Sequence, residues 1–324
     1  MNQVQGLGDG DYRRGGIHPV FYFLMRKYFP FLIILLVLFV SCASHPVIEP
    51  QAEAVLYPQK SYIPETFDWQ EVEPGISRFD FKNPAFPVIY HAVKIDLETP
   101  GLEIVCFPDT EFAKKSADDG KMPKPYIYRG ITTARFAKKY KCSVAVNATP
   151  FAGRNGKWDL IAHVSSTRQL VGVHIDDSFE IAPPVSSYAA LTLSRSEQGF
   201  IAQILDSQVS EQLGNCDYAF GGFFTVLRDG VVNENFIRNH NSRTGCGVSQ
   251  DGKTLYLLVV EGEVRSKSEG LSYPQCAEVF RAMGCDDALE FDGGGSSQLC
   301  INGKSILTYS KHRVQGNSFG FRKM

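Results

Sequence analysis

Between residues 88 and 305 the sequence is divided into short apolar or alternating runs, and most of them end at glycine, asparagine or aspartate. Runs of this kind, rich in β-branched residues, predict strands rather than helices. Residues 88–97 and 102–107 flank Glu-Thr-Pro-Gly and predict a hairpin. Residues 246–249 and 254–260 flank Gln-Asp-Gly-Lys and predict a second hairpin, because Asp-Gly accommodates the positive φ of a tight turn.

The remaining predicted elements give the fold class. Ser272 can cap a helix over residues 273–283 that stops at Gly284. A shorter helix, capped by Thr132 or Thr133, ends at residue 140. The sequence predicts an α+β fold, a single domain with a mixed, β-rich sheet core covered by a few helices. Its other predicted strands lie at residues 142–147, 170–175, 189–193, 200–205, 223–227 and 288–292, with a last hairpin turning at 302–303.

A targeting segment precedes this region. Arg26 and Lys27 lead into an apolar run at residues 28–40, which is shorter than the roughly 20 apolar residues of a membrane-spanning helix. A basic start, a short apolar run and a small residue before cysteine are typical of a secretion signal. The segment Phe-Val-Ser-Cys resembles a relaxed bacterial lipobox, which makes Cys42 the lipidated first residue of the mature protein. The alternative is an uncleaved signal anchor.

The predicted domain organisation follows from that signal. Residues 1–24 are an over-extended start or a short N-terminal tail, because Met25 stands where such a signal begins. Residues 25–41 are the lipoprotein signal peptide, residues 42–67 the lipidated cysteine with a proline-rich, flexible tether, and residues 68–324 the folded domain. We therefore expect a cell-envelope protein, lipid-anchored to a bacterial membrane and facing the periplasm or the exterior.

Charge and cysteine content exclude several function classes. The chain has 33 basic and 35 acidic residues and a net charge of −2, so it is not a nucleic-acid binder by bulk electrostatics. The cysteines form no Cys-x-x-Cys pair, which removes the main support for a zinc ribbon or a thioredoxin-type site. Buried free thiols are the favoured interpretation of the cysteines beyond Cys42, while the extracytoplasmic address leaves a disulfide open.

The densest chemical segment follows the strand predicted at residues 288–292. Glu290 and Asp292 are two residues apart, so on a strand they project from the same face, and their repulsion should raise one pKa and keep one proton on the pair. Such a pair suits acid/base catalysis. The backbone amides of the following glycines and the serine hydroxyls can bind phosphate or an oxyanion: Gly293, Gly294, Gly295, Ser296 and Ser297. The alternative is a tight turn capped by its own carboxylate.

Three further segments carry candidate ligand groups. Arg243, followed by Thr244, precedes the second hairpin and can hold a phosphate through two hydrogen bonds, although a surface ion pair is the commoner role. Asn147 ends an apolar strand, where it caps the turn or binds a sugar hydroxyl. Gly222 lies in Phe-Gly-Gly-Phe-Phe, whose glycines permit close backbone approach.

Taken in order, these segments resemble the phosphodiester glycosidase family, and the likeness covers residues 88–322. The Asp-Gly-Gly-Gly-Ser-Ser hexapeptide is the most specific element, and each other motif is weak alone. The family pattern also contains Arg-Thr before an Asp-Gly hairpin and Arg-x-Val-x-Asn near the end. The matching positions here are 147–151, 221–222 with 227–230, Arg243 with Thr244, 292–297, and Arg313 with Val314 and Asn317.

Two departures from the family pattern affect the site. Asn147 is followed by Ala148, Thr149 and Pro150 where the family has Gly-Gly and an aromatic residue. Because proline lacks an N–H, this loop cannot present the same backbone amides, so the substrate is the least transferable property. Glu290 stands where many relatives carry asparagine, so the paired-carboxylate argument comes from this sequence alone.

The resemblance implies a hydrolase that cleaves a sugar-1-phosphodiester in an envelope glycan or glycoconjugate, with no cofactor. Arg243 and the loop amides would bind phosphate, with Arg313 as a second clamp and Asn317 in the binding set. Asp292 would be nucleophile, base or cation stabiliser, and Glu290 the partner acid.

Two alternatives stay open at this stage. One is a metal-assisted phosphodiesterase in which Asp292, Glu290 and either Asn147 or Asn317 hold a divalent cation. The other is a non-catalytic glycan-binding envelope lipoprotein, which the altered loop after Asn147 supports.

Overall fold

Antiparallel strands form most of the structure. The computed structural model describes residues 61–118, 126–153, 167–209, 211–310 and 312–323. The predictions for residues 1–24 and 25–41, the lipidation of Cys42 and most of the tether at 42–67 therefore lie outside the described residues. No helix within the described ranges is long and apolar enough to cross a membrane.

The described strands, numbered in chain order, form four sheets. The largest has eight strands in the order β1 (Gln70–Glu73), β2 (Ile76–Asn83), β3 (Val88–Asp96), β17 (Thr254–Val260), β16 (Arg243–Val248), β18 (Asp287–Glu290), β14 (Phe224–Arg228) and β15 (Val231–Val232). A second sheet has five strands in the order β20 (Lys304–Ser305), β19 (Leu299–Ile301), β6 (Val144–Asn147), β21 (Ser318–Lys323) and β4 (Leu102–Phe107).

Two smaller assemblies and three α-helices complete the described elements. The third sheet runs β10 (Phe179–Ala182), β9 (His174–Asp176), β13 (Tyr218–Gly221), β11 (Ala190–Ser196) and β12 (Gly199–Leu205), and the fourth runs β5 (Ile127–Arg129), β8 (Thr167–Leu170) and β7 (Phe151–Ala152). The helices are α1 (Thr110–Asp118), α2 (Thr133–Tyr140) and α3 (Tyr273–Met283), and short 3-10 turns span Glu211–Asn215 and Gly294–Ser296.

Local capping signals explain helix α3. The Ser272 side chain accepts from the amide of Gln275, and the Gln275 side chain accepts from the amide of Ser272, which together form a capping box. Gly284 ends the helix with a φ of 100°, a conformation that favours glycine. Thr132 caps the N-terminus of α2, where its side chain accepts from the amide of Arg135. Both predicted helices are therefore confirmed.

Strand β18 is an inner strand of the largest sheet, between β16 and β14, and separates two hydrophobic clusters. Leu289 and, just beyond the strand, Phe291 pack into the larger cluster, which also contains Phe319. Ala288 packs on the other side, in the cluster formed against helix α3. Because side chains alternate along a strand, Glu290 lies on the same face as Ala288 and points toward α3. The strand ends at Glu290, and the loop that begins after Phe291 lies beyond the end of the sheet.

The α+β class is confirmed, with differences in how the strands pair. The hairpin of β16 and β17 is confirmed. The hairpin predicted over residues 88–107 is wrong, because β3 pairs with β2 and β17 while β4 pairs with β21 in another sheet. Every described pairing is antiparallel, where a mixed sheet was expected. Several of these pairs, such as β3 with β17 and β6 with β21, join strands that are far apart in the chain.

The seven cysteines of the described chain are free and buried. Cys276 lies in helix α3 and Cys285 follows the helix, and the two cysteines are not bonded to each other. Burial raises the pKa of both thiols well above the ordinary value, so they are poor nucleophiles and behave as small apolar side chains.

Candidate active site

The loop after β18 is held between the ends of two sheets. The amide of Phe291 donates to Thr244 O over 2.8 Å, and the amide of Asp292 donates to Ala148 O over 3.0 Å. These two bonds tie the loop to Thr244 in β16 of the largest sheet and to Ala148, which directly follows β6 of the second sheet. Asp292 and the turn Gly294–Ser296 consequently lie at the junction of these two sheets.

Asn147 fixes this junction. Its Nδ2 donates to Asp292 O over 2.6 Å, and its Oδ1 accepts from the amide of Gln298 and from Thr244 Oγ1. The side chain is fully buried, and both lone pairs of Oδ1 are in use. The sequence predicts that Asn147 caps the turn or binds substrate, and in the structure its amide group holds the loop.

Asp292 lies beside a hydroxyl and a guanidinium. Burial raises the pKa of its carboxyl group to about 6, while a hydrogen bond from Ser296 and the nearby charge of Arg313 act in the opposite direction. Arg313 Nη1 donates to Ser296 Oγ over 3.1 Å. At neutral pH this arrangement presents a largely ionised carboxylate next to a permanent positive charge.

The glycine-serine loop has a compact fold of its own. The amide of Gly294 donates to Ser242 O over 2.9 Å, and those of Ser296 and Ser297 donate back to Gly293 O and Gly294 O. These three amides already form hydrogen bonds within the protein, so fewer loop amides are available to a ligand than the sequence predicts. The amides of Gly293 and Gly295 are the remaining candidates for a ligand.

Arg313 lies directly over Gly295. A Cβ atom at position 295 would approach Arg313 Nη2 to 2.9 Å, closer than real Cβ contacts allow. The absence of a side chain at Gly295 therefore lets the guanidinium reach the loop. Arg313 Nε is buried and has no hydrogen-bond partner among the described residues. Arg313, predicted as the second clamp, is thus the arginine that lies beside Asp292.

Arg243 occupies a different environment. Its Nε donates to Leu271 O over 3.1 Å and its Nη2 donates to Asn239 O over 2.8 Å. Its guanidinium carbon lies 3.7 Å from the centre of the Tyr273 ring. The backbone of Arg243 is close to the loop, because a Cβ on Gly293 would lie 3.5 Å from its Cα. Its side chain ties two backbone segments together through Nε and Nη2, and its role as the main phosphate clamp stays a prediction.

Glu290 shares this second environment. Its side chain is 1% exposed, and neither carboxyl oxygen has a hydrogen-bond partner among the described residues. Burial raises its pKa to about 8, and the charge of Arg243 and the neighbouring Cys276 thiol moderate the rise. The two carboxyl groups, which the sequence predicts to share one proton, have different surroundings in the structure. Each has a raised pKa because of burial, and each lies beside a different arginine.

Four other predicted binding residues have structural contacts. Thr244 donates to Asn147, and Asn317 donates to Phe107 O and accepts from the amide of Thr149. A Cβ on Gly222 would approach Leu289 Cδ1 to 2.6 Å, so this glycine allows close packing of the sheet. Ser297 is fully buried. Thr244 thus supports the loop through Asn147, while the Ser297 hydroxyl has no hydrogen-bond partner among the described residues.

A cleft of about 770 Å³ opens next to the loop, and we call it the Tyr309 cleft. Tyr309 connects the two, because its hydroxyl donates to Ser297 O over 2.9 Å. The lining consists of Glu263, Val264, Lys267, Ser305, Leu307, Thr308, Tyr309, Ser310 and His312.

Sequence analysis missed a buried network behind this cleft. His91 contacts Asp80 through Nδ1 at 2.7 Å and Glu261 through Nε2 at 2.8 Å, and Glu261 accepts from the amide of Thr308. Burial opposes the charged form of His91, but the hydrogen bonds to both carboxylates raise its pKa. The available signal was Glu261 itself, a carboxylate directly after the apolar strand β17, just as Asp292 follows β18.

The cation-binding set predicted from the sequence combines Asp292 and Glu290 with either Asn147 or Asn317. Asn147 and Asn317 already use their amide groups within the protein. Among the described residues, a grouping of potential cation ligands occurs elsewhere, at Asp229, Asp286 and Asp287, where Arg228 already pairs with Asp287 at 2.7 Å.

Comparison with known proteins identifies relatives of this arrangement. The family model described as phosphodiester glycosidase matches residues 140–322, a range that includes Asn147, Arg243, Asp292 and Arg313. No curated protein matches the sequence.

Solved structures share the fold at low sequence identity. The catalytic domain of zebrafish N-acetylglucosamine-1-phosphodiester alpha-N-acetylglucosaminidase, auto-inhibited by its pro-peptide, superimposes with a TM-score of 0.55 at 16% identity over 79% of this chain and 86% of that chain. A Synechocystis protein gives a TM-score of 0.56 at 15% identity over 81% of this chain and 64% of that chain. A Burkholderia pseudomallei protein gives 0.51 at 13% identity over 72% and 74%.

Proposed function

This chain belongs to the phosphodiester glycosidase family, and from that premise we propose that it hydrolyses the bond between the anomeric carbon of a sugar and a phosphodiester. Water adds to the anomeric carbon, the carbon–oxygen bond breaks, and its electron pair leaves with the phosphate. The products are the free sugar and a phosphomonoester. The substrate class that we propose is an envelope glycan or glycoconjugate.

The observation that carries this proposal is the arrangement of Asp292, Ser296 and Arg313 around one glycine-rich loop. A guanidinium is suited to a phosphate at any pH, because it stays charged and offers several donors in one plane. We assign the phosphate to Arg313, with the amides of Gly293 and Gly295 as additional donors. Together they would stabilise the negative charge that develops on the departing phosphate.

Asp292 supplies the negative charge opposite that phosphate. Cleavage passes through an oxocarbenium-like centre, which a carboxylate stabilises directly or traps as a covalent glycosyl-enzyme. A pKa of about 6 leaves Asp292 mostly ionised at neutral pH, as either role requires. A phosphate is already a good leaving group and needs little proton donation. The reaction therefore does not depend on a second carboxylic acid, and Glu290 is assigned no direct step.

Hydrolysis in ¹⁸O-labelled water tests this assignment. A panel of sugar-1-phosphodiesters is incubated with the purified protein, and the products are analysed by mass spectrometry. We expect free sugar carrying the label on its anomeric oxygen, together with unlabelled phosphomonoester. Label in the phosphate would mean that a phosphorus–oxygen bond breaks, and the activity would then be that of a phosphodiesterase and not of a glycosidase.

A metal-assisted phosphodiesterase is the rival that this experiment addresses. Its expected ligands include the amide of either Asn147 or Asn317. Both lone pairs of the Asn147 oxygen accept hydrogen bonds within the protein, and the Asn317 oxygen accepts one from the amide of Thr149. We therefore propose a reaction without a divalent cation. Activity abolished by a chelator and restored by one cation would contradict that part of the proposal.

We also propose that the protein is a lipid-anchored envelope protein. The support is the basic, apolar and small-residue pattern that ends at Cys42. An acyl anchor followed by the tether would keep the enzyme at its membrane without a spanning helix. Mass spectrometry of the N-terminal peptide should find acylated Cys42, and Cys42→Ser should release the protein from the membrane fraction. An unmodified N-terminus that still starts at Met25 would contradict the anchor.

A further inference from the structure

Arg313 lies in a part of the chain that no strand or helix holds. Residues 312–314 belong to no regular element, and the next residue, Gln315, forms an isolated bridge with Ile131. A backbone outside strands and helices relies on side chains or water for its hydrogen bonds. The guanidinium nevertheless reaches Ser296 Oγ at 3.1 Å. The contacts that fix the backbone of Arg313 therefore determine where its charge lies.

Two buried glutamines bond to the carbonyl group of Arg313. Gln298 Nε2 donates to Arg313 O over 2.7 Å, and Gln315 Nε2 donates to the same oxygen over 3.2 Å. Each glutamine is 1% exposed. Both lone pairs of the carbonyl oxygen are thus used by side-chain amides. We call these two residues the glutamine brace.

The brace is also attached to the glycine-serine loop and to helix α2. Gln315 Nε2 donates to Ser296 O over 2.9 Å. The side-chain oxygen of Gln298 accepts from the amide of Thr133 over 3.0 Å, where helix α2 begins. The brace therefore connects the backbone of the arginine to the loop that lies under its guanidinium and to a helix.

We infer that Gln298 and Gln315 are positioning residues that hold the Arg313 guanidinium at the loop. They act through the backbone of Arg313 and not on the substrate, since their side-chain amides already bond to protein atoms. Loss of the brace leaves the positive charge on the protein but changes its position. This inference rests on the proposed function, which assigns the phosphate to Arg313.

The pKa of Asp292 reports where this charge lies. Burial raises that pKa, while a hydrogen bond from Ser296 and the charge of Arg313 lower it. An opposite charge within about 4–6 Å changes a carboxyl pKa by about 1–3, so a displaced guanidinium gives a measurable rise. The pKa is measured by ¹³C NMR of the full-length protein labelled at its aspartate carboxyl groups, and Asp292→Asn identifies the resonance.

Gln315→Met removes the donor group at nearly constant volume. We expect it to raise the pKa of Asp292 by about 1. On a sugar-1-phosphodiester, kcat/KM should fall by about a hundredfold, because a misplacement of about 1 Å can cost that factor. Gln298→Met tests the other member of the brace and replaces Gln315→Met if that variant does not fold. Gln208→Met is the matched control, since Gln208 is also fully buried and bonds to the backbone of other segments.

Arg313→Met provides a readout that a merely structural role would not change. This variant removes the charge, so the pKa of Asp292 should rise. Adding Gln315→Met to it should raise the pKa no further, because residues that act through one another are not additive. A second rise of equal size would mean that Gln315 affects Asp292 without Arg313, and it would overturn the inference.

The outcomes separate the brace from the proposed function. The inference is supported by a pKa that rises in either variant of the brace, stays at the wild-type value in Gln208→Met and rises no further in the Arg313→Met background. That support holds even if no phosphodiester is cleaved and the proposed function fails. Cleavage at the wild-type rate with an unchanged pKa, in folded variants of both glutamines, overturns the inference and leaves the function intact. An equal rise in Gln208→Met would also overturn it, because loss of any buried glutamine would then have the same effect.

Discussion

Arg313 and Gly295 are in contact, and a single added carbon on Gly295 would lie 2.9 Å from Arg313 Nη2. The guanidinium can approach the loop only because position 295 has no side chain. Gly295 also has a φ outside the left-handed region, so alanine can adopt its backbone conformation. The pair therefore offers a way to move the phosphate clamp without straining the backbone.

Gly295→Ala should displace Arg313 and lower kcat/KM by about a hundredfold to a thousandfold, as expected for the loss of one donor to a developing oxyanion. The melting temperature should change little. Gly214→Ala is the matched control, because a Cβ at Gly214 meets nothing within 4 Å. Equal kcat/KM in both variants would mean that Arg313 is not the clamp.

The pH dependence of kcat/KM should report the ionisation of the Asp292 carboxyl group. Burial raises the pKa of Asp292 to about 6, and the reaction needs the ionised form. Activity should therefore fall as the pH decreases through about 6, by a factor of ten for each further pH unit. A profile that stays flat down to pH 4.5 would show that no carboxylate with a raised pKa is required.

Glu290 should affect stability more than rate. Its folded-state pKa is raised from 4.5 to about 8, so the folded protein binds more protons than the unfolded chain between these values. Stability should accordingly fall as the pH rises through this window, with a slope of up to about 1.4 kcal/mol per pH unit for this group. Denaturant unfolding of Glu290→Gln should show a shallower decrease and greater stability at pH 8 than the wild type. An unchanged slope would contradict a raised pKa for the buried carboxyl group of Glu290.

Asn147 should behave as a structural residue. Asn147→Ala removes hydrogen bonds to Asp292 O, to the Gln298 amide and to Thr244, some of which would then stay unsatisfied. Each buried polar group that is left without a hydrogen bond costs about 1–3 kcal/mol, so the free energy of unfolding should fall by several kcal/mol. A substrate ligand would instead raise KM and leave stability unchanged, and urea titration with steady-state kinetics distinguishes the two.

The sequence was informative where the determining interactions are local. Ser272 and Gly284 bound helix α3, and Asp251-Gly252 turns the hairpin of β16 and β17, because caps and tight turns depend on neighbouring residues. The turn between β3 and β4 has an equally clear signal, yet it connects two different sheets. A turn signal reports a change of direction, and it does not report which strand becomes the partner.

The candidate site shows the same limit. The hexapeptide that begins at Asp292 identified the loop, since carboxylate, glycines and serines are adjacent in the chain. Which arginine reaches it depends on packing between distant segments: the sequence favours Arg243, whose side chain turns toward Leu271 and Tyr273. Alternation along the strand placed Glu290 and Asp292 on one face, but β18 ends at Glu290 and the rule no longer applies beyond it.

The central claim is that Asp292, ionised beside Arg313, drives cleavage of a sugar-1-phosphodiester. Its most direct test is kcat/KM of Asp292→Asn, measured with the melting temperature above pH 7. We predict a loss of about 10²–10⁴-fold in a variant that is at least as stable as the wild type, because a costly buried charge has been removed. Wild-type turnover by a folded Asp292→Asn protein would contradict the account.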